Sequence, residues 1–206
     1  MSPPEFPFSL LDFTESRLAH ALFTVQTGGY QTAFPALNAY EKALIYHYTY
    51  QGSAEIKDPV RAHDGATTEP LGQSLVAALR KLPPYAGLVY SAEFWTEAEL
   101  HDLQRRAATG PNPFHLNEKR WLTFLSASQS SRVAHDHLFH YGGRKNCRLL
   151  IVSRTGRYID ALSHYGANGR DPAASEREVL FLPNTRFRVV QVRHATTHWE
   201  IELLEL

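Results

Sequence analysis

Apolar residues recur at helical spacing in three segments of the first half of the chain, residues 9–26, 37–49 and 73–82. Residues three and four apart lie on one side of a helix, so this spacing predicts three amphipathic helices. Asn38 is the predicted N-cap of the second helix, and Glu41 is its predicted capping-box partner. The polar stretch 51–68 predicts a loop between the second and third helices.

After Pro84 the apolar pattern becomes typical of strands, with one helical interruption over residues 93–109. Single strands are predicted for residues 86–92, 120–128, 147–153 and 178–183. The third of these strands is expected to end in a turn at residues 154–157. Two alternating segments, 185–194 and 197–206, predict a hairpin. Helices followed by mostly antiparallel strands predict an α+β fold.

Composition narrows the class of protein without identifying it. The 206 residues are 43% hydrophobic and 20% charged, which is ordinary for a globular domain. Lysine plus arginine and aspartate plus glutamate each number 21, so the net charge of zero disfavours a protein built around attraction to nucleic-acid phosphates. Cys147 is the single cysteine, which excludes an internal disulfide and a cysteine-based zinc site.

The start of the chain shows no sign of a secretory leader. It lacks a basic segment and contains three prolines in its first seven residues. No apolar run approaches the roughly 20 residues that a membrane span requires, so no membrane partner is predicted. We therefore expect synthesis in a cytoplasm, and export by a system that reads no signal peptide stays open.

Two short polar motifs stand beside predicted strands. Ser126 and Ser128 end the strand "RWLTFLSAS", and Glu176 and Glu178 open the strand in "EREVLFLP". Each motif alone is typical of a turn or of a solvated strand edge. Two carboxylates one residue apart repel each other, and this arrangement is favourable where a cation lies between them.

In this order, together with "LVYSA" and "LNAYEKALIYHYT", the motifs resemble the mono-ADP-ribosyltransferase family of the arginine, Ser-x-Ser, Glu-x-Glu type. The resemblance covers roughly residues 37–190. It implies a split pair of small β-sheets around an NAD cleft, with a helical N-terminal part. It also implies a helical extension over residues 1–36 and a catalytic domain over residues 37–206.

The resemblance assigns roles to individual residues. Glu178 matches the catalytic glutamate, which would bind the nicotinamide ribose and stabilise the positive charge that develops as nicotinamide leaves. Glu176 matches the glutamate that orients or deprotonates the acceptor. Ser126 and Ser128 match the hydroxyls beside the ribose and the catalytic carboxylate. Tyr165 matches the aromatic residue of the acceptor loop.

One position departs from the family pattern. The family has an NAD-binding arginine where this chain has Ser91, within Tyr90-Ser91-Ala92. Ala92 can still offer its main-chain N–H and C=O to the nicotinamide amide. A lost charge-assisted hydrogen bond would weaken NAD binding by roughly tenfold to a hundredfold. Another arginine could replace it, and the candidates are Arg80, Arg120 and Arg132.

The implied function is transfer of ADP-ribose from NAD, as substrate, to a macromolecular acceptor with release of nicotinamide. Protein arginine is the expected acceptor, ahead of a nucleic-acid group, and the analogy suggests a bacterial toxin or effector with a neutralising immunity or antitoxin partner. Two alternatives stay open. One is an NAD glycohydrolase, and the other is a catalytically silent binding module that no longer binds NAD well because Ser91 replaces the arginine.

A histidine-rich segment is the remaining candidate site. His135, His137 and His140 lie close together, and the last two would share a helix face. No cysteine or suitably spaced carboxylate completes a metal site. We expect a helix with partly exposed histidines and no metal.

Overall fold

The computed structural model describes residues 17–108, 117–139 and 146–206. The chain forms two units by its internal contacts. The helical unit comprises residues 1–83 and 158–175, and the sheet unit comprises residues 84–157 and 176–206. The predicted boundary at residue 36 stays a prediction.

The helical unit is built on five α-helices in its described part. They are α1 (Ala19–Val25), α2 (Gly28–Thr32), α3 (Ala39–His47), α4 (Ser53–Ala62) and α5 (Pro70–Arg80). Helix α3 lies at the centre because it packs against both α1 and α5. Its Leu44 and Ile45 are fully buried, as are Leu75 and Leu79 of α5. These side chains form the core of the unit.

The capping box predicted at the start of α3 is present. The Asn38 side chain accepts a hydrogen bond from the main-chain N–H of Glu41 at 2.9 Å. The Glu41 carboxylate accepts one in return from the main-chain N–H of Asn38 at 3.0 Å. Two N–H groups that lack helical partners are thereby satisfied, which fixes where the helix begins.

The loop predicted over residues 51–68 is wrong for its first part. A turn of π-helix, Tyr48–Gly52, leads directly from α3 into α4. The sequence does not predict this helix, because glycine and proline, here Gly52 and Pro59, usually interrupt helices. Ile56 and Val60, four residues apart, are buried on one face of α4. Tertiary packing of that face therefore overrides the local propensity.

The sheet unit contains seven described strands. They are β1 (Pro84–Glu93), β2 (Glu118–Trp121), β3 (Leu125–Ser128), β4 (Cys147–Tyr158), β5 (Glu178–Phe181), β6 (Thr185–His194) and β7 (Trp199–Glu205). Their order is β1-β3-β5-β4-β7-β6-β2, and β1 pairs with β4 as well as with β3. Two helices accompany the strands, α6 (Glu97–Ala108) and α7 (Ser131–Phe139). Helix α6 packs on β6, and α7 packs on β1 and β3.

The predicted hairpin is confirmed, since β6 and β7 pair antiparallel from Phe187 opposite Glu205 to His194 opposite Trp199. Most pairings are antiparallel as expected, and β4 with β7 is parallel. The predicted α+β class is confirmed. Within the described residues, no helix is long and apolar enough to cross a membrane.

Two strand predictions are wrong in their limits. The single strand predicted over residues 120–128 is two strands, β2 and β3, and β2 pairs with β6 whereas β3 pairs with β1 and β5. The turn predicted at residues 154–157 lies inside β4. The buried carboxylate of Glu205 accepts hydrogen bonds from the main-chain N–H groups of Arg154 and Thr155. These contacts from β7 satisfy the main-chain N–H groups of an irregular stretch of β4. The local sequence of that stretch is typical of a turn.

Candidate active site

Three predicted site residues form a row across three neighbouring strands of the sheet unit. Tyr90 of β1 lies opposite Ser128 of β3, and Ser128 lies opposite Glu178 of β5. Residues directly opposite one another in antiparallel strands project to the same face. Ser128 and Glu178 are buried, and Tyr90 is half-buried. The fold thus places Glu178 of the second motif directly opposite Ser128 of the first, on the same face of the sheet.

Ser126 lies next to this row on the same face, whereas Ser91 follows Tyr90 in β1, so its side chain projects to the opposite face. Ser126 is two residues before Ser128, so it shares that face of β3, and it pairs with Leu180 of β5. The hydroxyl of Ser91, which is buried, donates to the main-chain oxygen of Ser126 at 2.7 Å. Ala92 follows in β1, where it is buried opposite Arg148 of β4.

Glu176 lies just outside β5, in a less buried environment than Glu178. Its side chain is 27% exposed, and its Oε1 lies 3.2 Å from Nε2 of His137 on α7. Its main-chain oxygen accepts a hydrogen bond from the Ser128 hydroxyl at 2.5 Å. The two glutamates therefore occupy different surroundings although both contact or pair with Ser128.

The residue between the glutamates has an unusual backbone. Arg177 has φ 49°, in the left-handed region that few non-glycine residues adopt. Residues i and i+2 project to the same side only where the backbone is extended, so Glu176 and Glu178 do not follow that rule across Arg177. This turn, which the sequence does not reveal, separates the direction of Glu176 from that of Glu178.

Tyr165 belongs to the helical unit and is 50% exposed. Its neighbour His164 is well anchored, because Nδ1 is hydrogen-bonded to the Tyr46 hydroxyl at 2.8 Å and the main-chain N–H donates to the Thr49 hydroxyl at 2.8 Å. Asp160, which is buried, accepts from the Ala167 N–H and the Ser175 hydroxyl. These contacts hold the segment that presents Tyr165.

No protein-family model matches the chain. A curated relative named for NAD(+)–arginine ADP-ribosyltransferase activity, Vis from Vibrio splendidus, is 24% identical over 184 residues. The match covers 84% of this chain and 66% of Vis, so the chain spans slightly less than two thirds of that relative.

Solved structures extend the likeness to the whole fold. The ADP-ribosyltransferase HopU1 of Pseudomonas syringae superimposes with a TM-score of 0.71 at 16% identity, covering 92% of this chain and 87% of HopU1. The chain has the fold of the mono-ADP-ribosyltransferases. Vis in complex with agmatine gives a TM-score of 0.62 at 20% identity, covering 100% of this chain and 88% of Vis. The predicted family resemblance is thus confirmed in sequence and in fold.

Another protein with the ADP-ribosyltransferase fold has been solved with an NAD analogue. Exoenzyme S of Pseudomonas aeruginosa, bound to carba-NAD and in complex with human 14-3-3 protein beta, gives a TM-score of 0.67 at 15% identity. The superposition covers 96% of this chain and 87% of exoenzyme S.

Within the ADP-ribosyltransferase fold, the arginines considered as substitutes for Ser91 have defined surroundings. Nε of Arg120 donates to Oδ1 of Asn184 at 2.7 Å. Arg132 is 3.8 Å from Asp136 on the same helix. Arg80 ends α5 in the helical unit and is exposed. The identity of the residue that would replace the family arginine stays a prediction.

His137 is a residue of this candidate site that the motifs missed. The sequence placed it on a helix with exposed histidines, and α7 is that helix. Its partner Glu176 could not be inferred, because the two residues are far apart in sequence. His140 lies outside the described residues. Among described residues, no group of three or more His, Cys, Asp or Glu side chains could hold a metal ion.

Proposed function

We propose that this protein is an NAD-dependent mono-ADP-ribosyltransferase that transfers ADP-ribose to arginine residues of proteins and releases nicotinamide. The observation that carries the proposal is the row of Tyr90, Ser128 and Glu178 across three strands, with Glu176 bonded to the same serine. This arrangement gathers a buried carboxylate, a second carboxylate and hydroxyl groups on a fold shared with enzymes of this activity.

Glu178 is the group that acts on NAD. When the bond between nicotinamide and ribose breaks, positive charge develops on the ribose, and a fixed carboxylate stabilises it. Glu178 is 7% exposed, so little water screens its charge. Its place in β5, paired with β3, fixes its backbone before NAD binds. Ser126 and Ser128 supply small hydroxyls on the same face that can bond the ribose without filling its space.

Glu176 is the group that acts on the acceptor. A guanidinium is a planar cation that pairs well with carboxylates, and Glu176 is exposed enough to meet a macromolecule. The name of Vis and its structure with agmatine, a compound with a guanidinium group, support arginine as the acceptor. In this proposal Tyr165, which is half-exposed, contacts the acceptor protein.

NAD binding relies on more than a single side chain. The Ala92 main chain and the Tyr90 side chain are proposed to contact the nicotinamide half, and Ser91 stands where the family has arginine. The carba-NAD complex of exoenzyme S, which has the same fold, supports NAD as the substrate of this protein. A toxin or effector role is proposed by analogy with Vis, one structure of which names it a toxin.

The test is incubation of the purified protein with isotope-labelled NAD, first with agmatine and then with cell lysate, followed by mass spectrometry. We expect ADP-ribosylated agmatine, labelled proteins modified at arginine, and free nicotinamide. The Glu178→Gln variant serves as the matched control and should give none of these. Free ADP-ribose without labelled acceptor would instead identify an NAD glycohydrolase, and unchanged NAD would identify a silent module.

A further inference from the structure

The carboxylate of Glu176 is held from the side by a histidine. Nε2 of His137 and Oε1 of Glu176 are 3.2 Å apart, and the two side chains are 43% and 27% exposed. An ionised carboxylate can only accept hydrogen bonds, so Nε2 of His137 is the donor in this pair. The contact engages one carboxylate oxygen of Glu176, and among the residues that the structure describes the other oxygen has no hydrogen-bond partner.

The main chain at Glu176 is fixed by the segment that leads into the helix of His137. The Ser128 hydroxyl donates to the main-chain oxygen of Glu176, and the main-chain N–H of Ser130 donates to that hydroxyl at 2.9 Å. The N–H of Gln129 donates to the main-chain oxygen of Arg177 at 3.1 Å. Helix α7 begins at Ser131, directly after these three donors. The end of β3 thus sets the distance between His137 and the backbone of Glu176.

His137 does not belong to the buried face of helix α7. Ala134 and Leu138 are its buried residues, whereas His137 is partly exposed. The bond to Glu176 therefore contributes to the direction of that side chain more than to the stability of the helix. A free glutamate side chain samples several rotamers, and a hydrogen bond to one oxygen selects among them.

We propose that His137 is a positioning residue for the acceptor. It holds Oε1 of Glu176 so that Oε2 meets the guanidinium of the incoming arginine, and it takes no part in the release of nicotinamide. This inference rests on the proposed function, because it assigns to His137 a role in transfer and none in cleavage of NAD.

The experiment compares His137→Ala, His137→Gln and, as a matched control, His135→Ala. His135 lies on the same helix, and the centroid of its ring is 4.7 Å from that of Phe139. We expect His137→Ala to raise the KM for agmatine about threefold to tenfold, the value of one hydrogen bond. Its release of nicotinamide without acceptor should stay within about twofold of wild type. His137→Gln, whose amide can still donate, should recover most of the loss, and His135→Ala should match wild type.

Loss of transfer and nicotinamide release to the same extent in His137→Ala would overturn the inference, as would an unchanged KM or no recovery in His137→Gln. A second measurement does not depend on activity. In protein labelled with ¹⁵N-histidine, Glu176→Gln should shift the ring nitrogen resonances of His137 and leave those of His135 in place. Absence of that shift would also overturn the inference. Failure of the wild type to modify agmatine would instead refute the proposed function, and the role of His137 with it.

Discussion

At the residue scale, the two glutamates of the Glu-x-Glu motif differ in what surrounds them. Glu178 is buried within β5 beside Ser128, and Glu176 is partly exposed beside His137. The left-handed backbone of Arg177 lets two carboxylates so close in sequence occupy these separate places. Sequence alone identifies the pair but not the difference between its members, because that difference depends on one dihedral angle and one distant histidine.

Replacing each glutamate should therefore give a different defect. Glu178→Gln should lower both transfer and nicotinamide release by about a hundredfold or more, because a neutral amide cannot offset the charge on the ribose. Glu176→Gln should lower transfer strongly while nicotinamide release stays within about tenfold of wild type. Both rates are measured with labelled NAD, with and without agmatine. The exposed Glu97→Gln serves as control, and equal defects in the two motif variants would contradict the division of roles.

At the element scale, prediction succeeded where the determinants are local. The capping box of α3 and the β6–β7 hairpin depend on residues close in sequence, and both are present. Prediction failed where distant contacts decide. Helix α4 forms around Pro59 because its buried face packs on the unit core, and β4 continues through Arg154 because Glu205 satisfies its main chain. The spacing of apolar residues along the sequence indicates neither of these contacts.

The capping box gives a direct test of the local determinants. Asn38→Ala removes the acceptor for the Glu41 N–H and should cost about 1 kcal/mol of folding stability, lowering Tm by roughly 2–4 °C. Asn38→Asp keeps an acceptor oxygen and should lose much less. Thermal unfolding followed by circular dichroism measures both. Equal losses in the two variants would show that the hydrogen bond is not what stabilises the start of α3.

At the scale of the whole molecule, the path of the chain links the two units through sequence. The chain leaves the sheet unit after Arg157, contributes residues 158–175 to the helical unit, and returns at Glu176. Within the helical unit this excursion is bound by Tyr46 and Thr49 through His164. The family resemblance placed Tyr165 in an acceptor loop, but it did not indicate that residues 158–175 join the core of the helices, since no local pattern encodes that contact.

His164 makes stability depend on pH. Burial, with nearby His20 as the second cause, lowers the pKa of His164 below its ordinary value of 6.5. The unfolded chain then takes up a proton at a higher pH than the folded chain does. The free energy of unfolding should therefore fall as pH drops below 6.5, until the pH is below the lowered pKa of the folded state.

Tm measured between about pH 7.5 and about pH 5.5 checks this expectation. The fall should be smaller in His164→Gln, which has no titrating ring at that position. It should persist in His63→Gln, a substitution at an exposed histidine. The same fall in all three proteins would assign it to other groups.

The row of Tyr90, Ser128 and Glu178 also has a consequence for the chain before it has folded. Its members come from strands far apart in sequence, and β5 sits between β3 and β4. Pairings between distant segments are kinetically slow, because the entropy of closing long loops precedes any gain from contact. A newly made or unfolded chain thus keeps its carboxylates and hydroxyls dispersed. On the proposed function, the cell that produces the protein has its NAD protected for as long as folding is delayed.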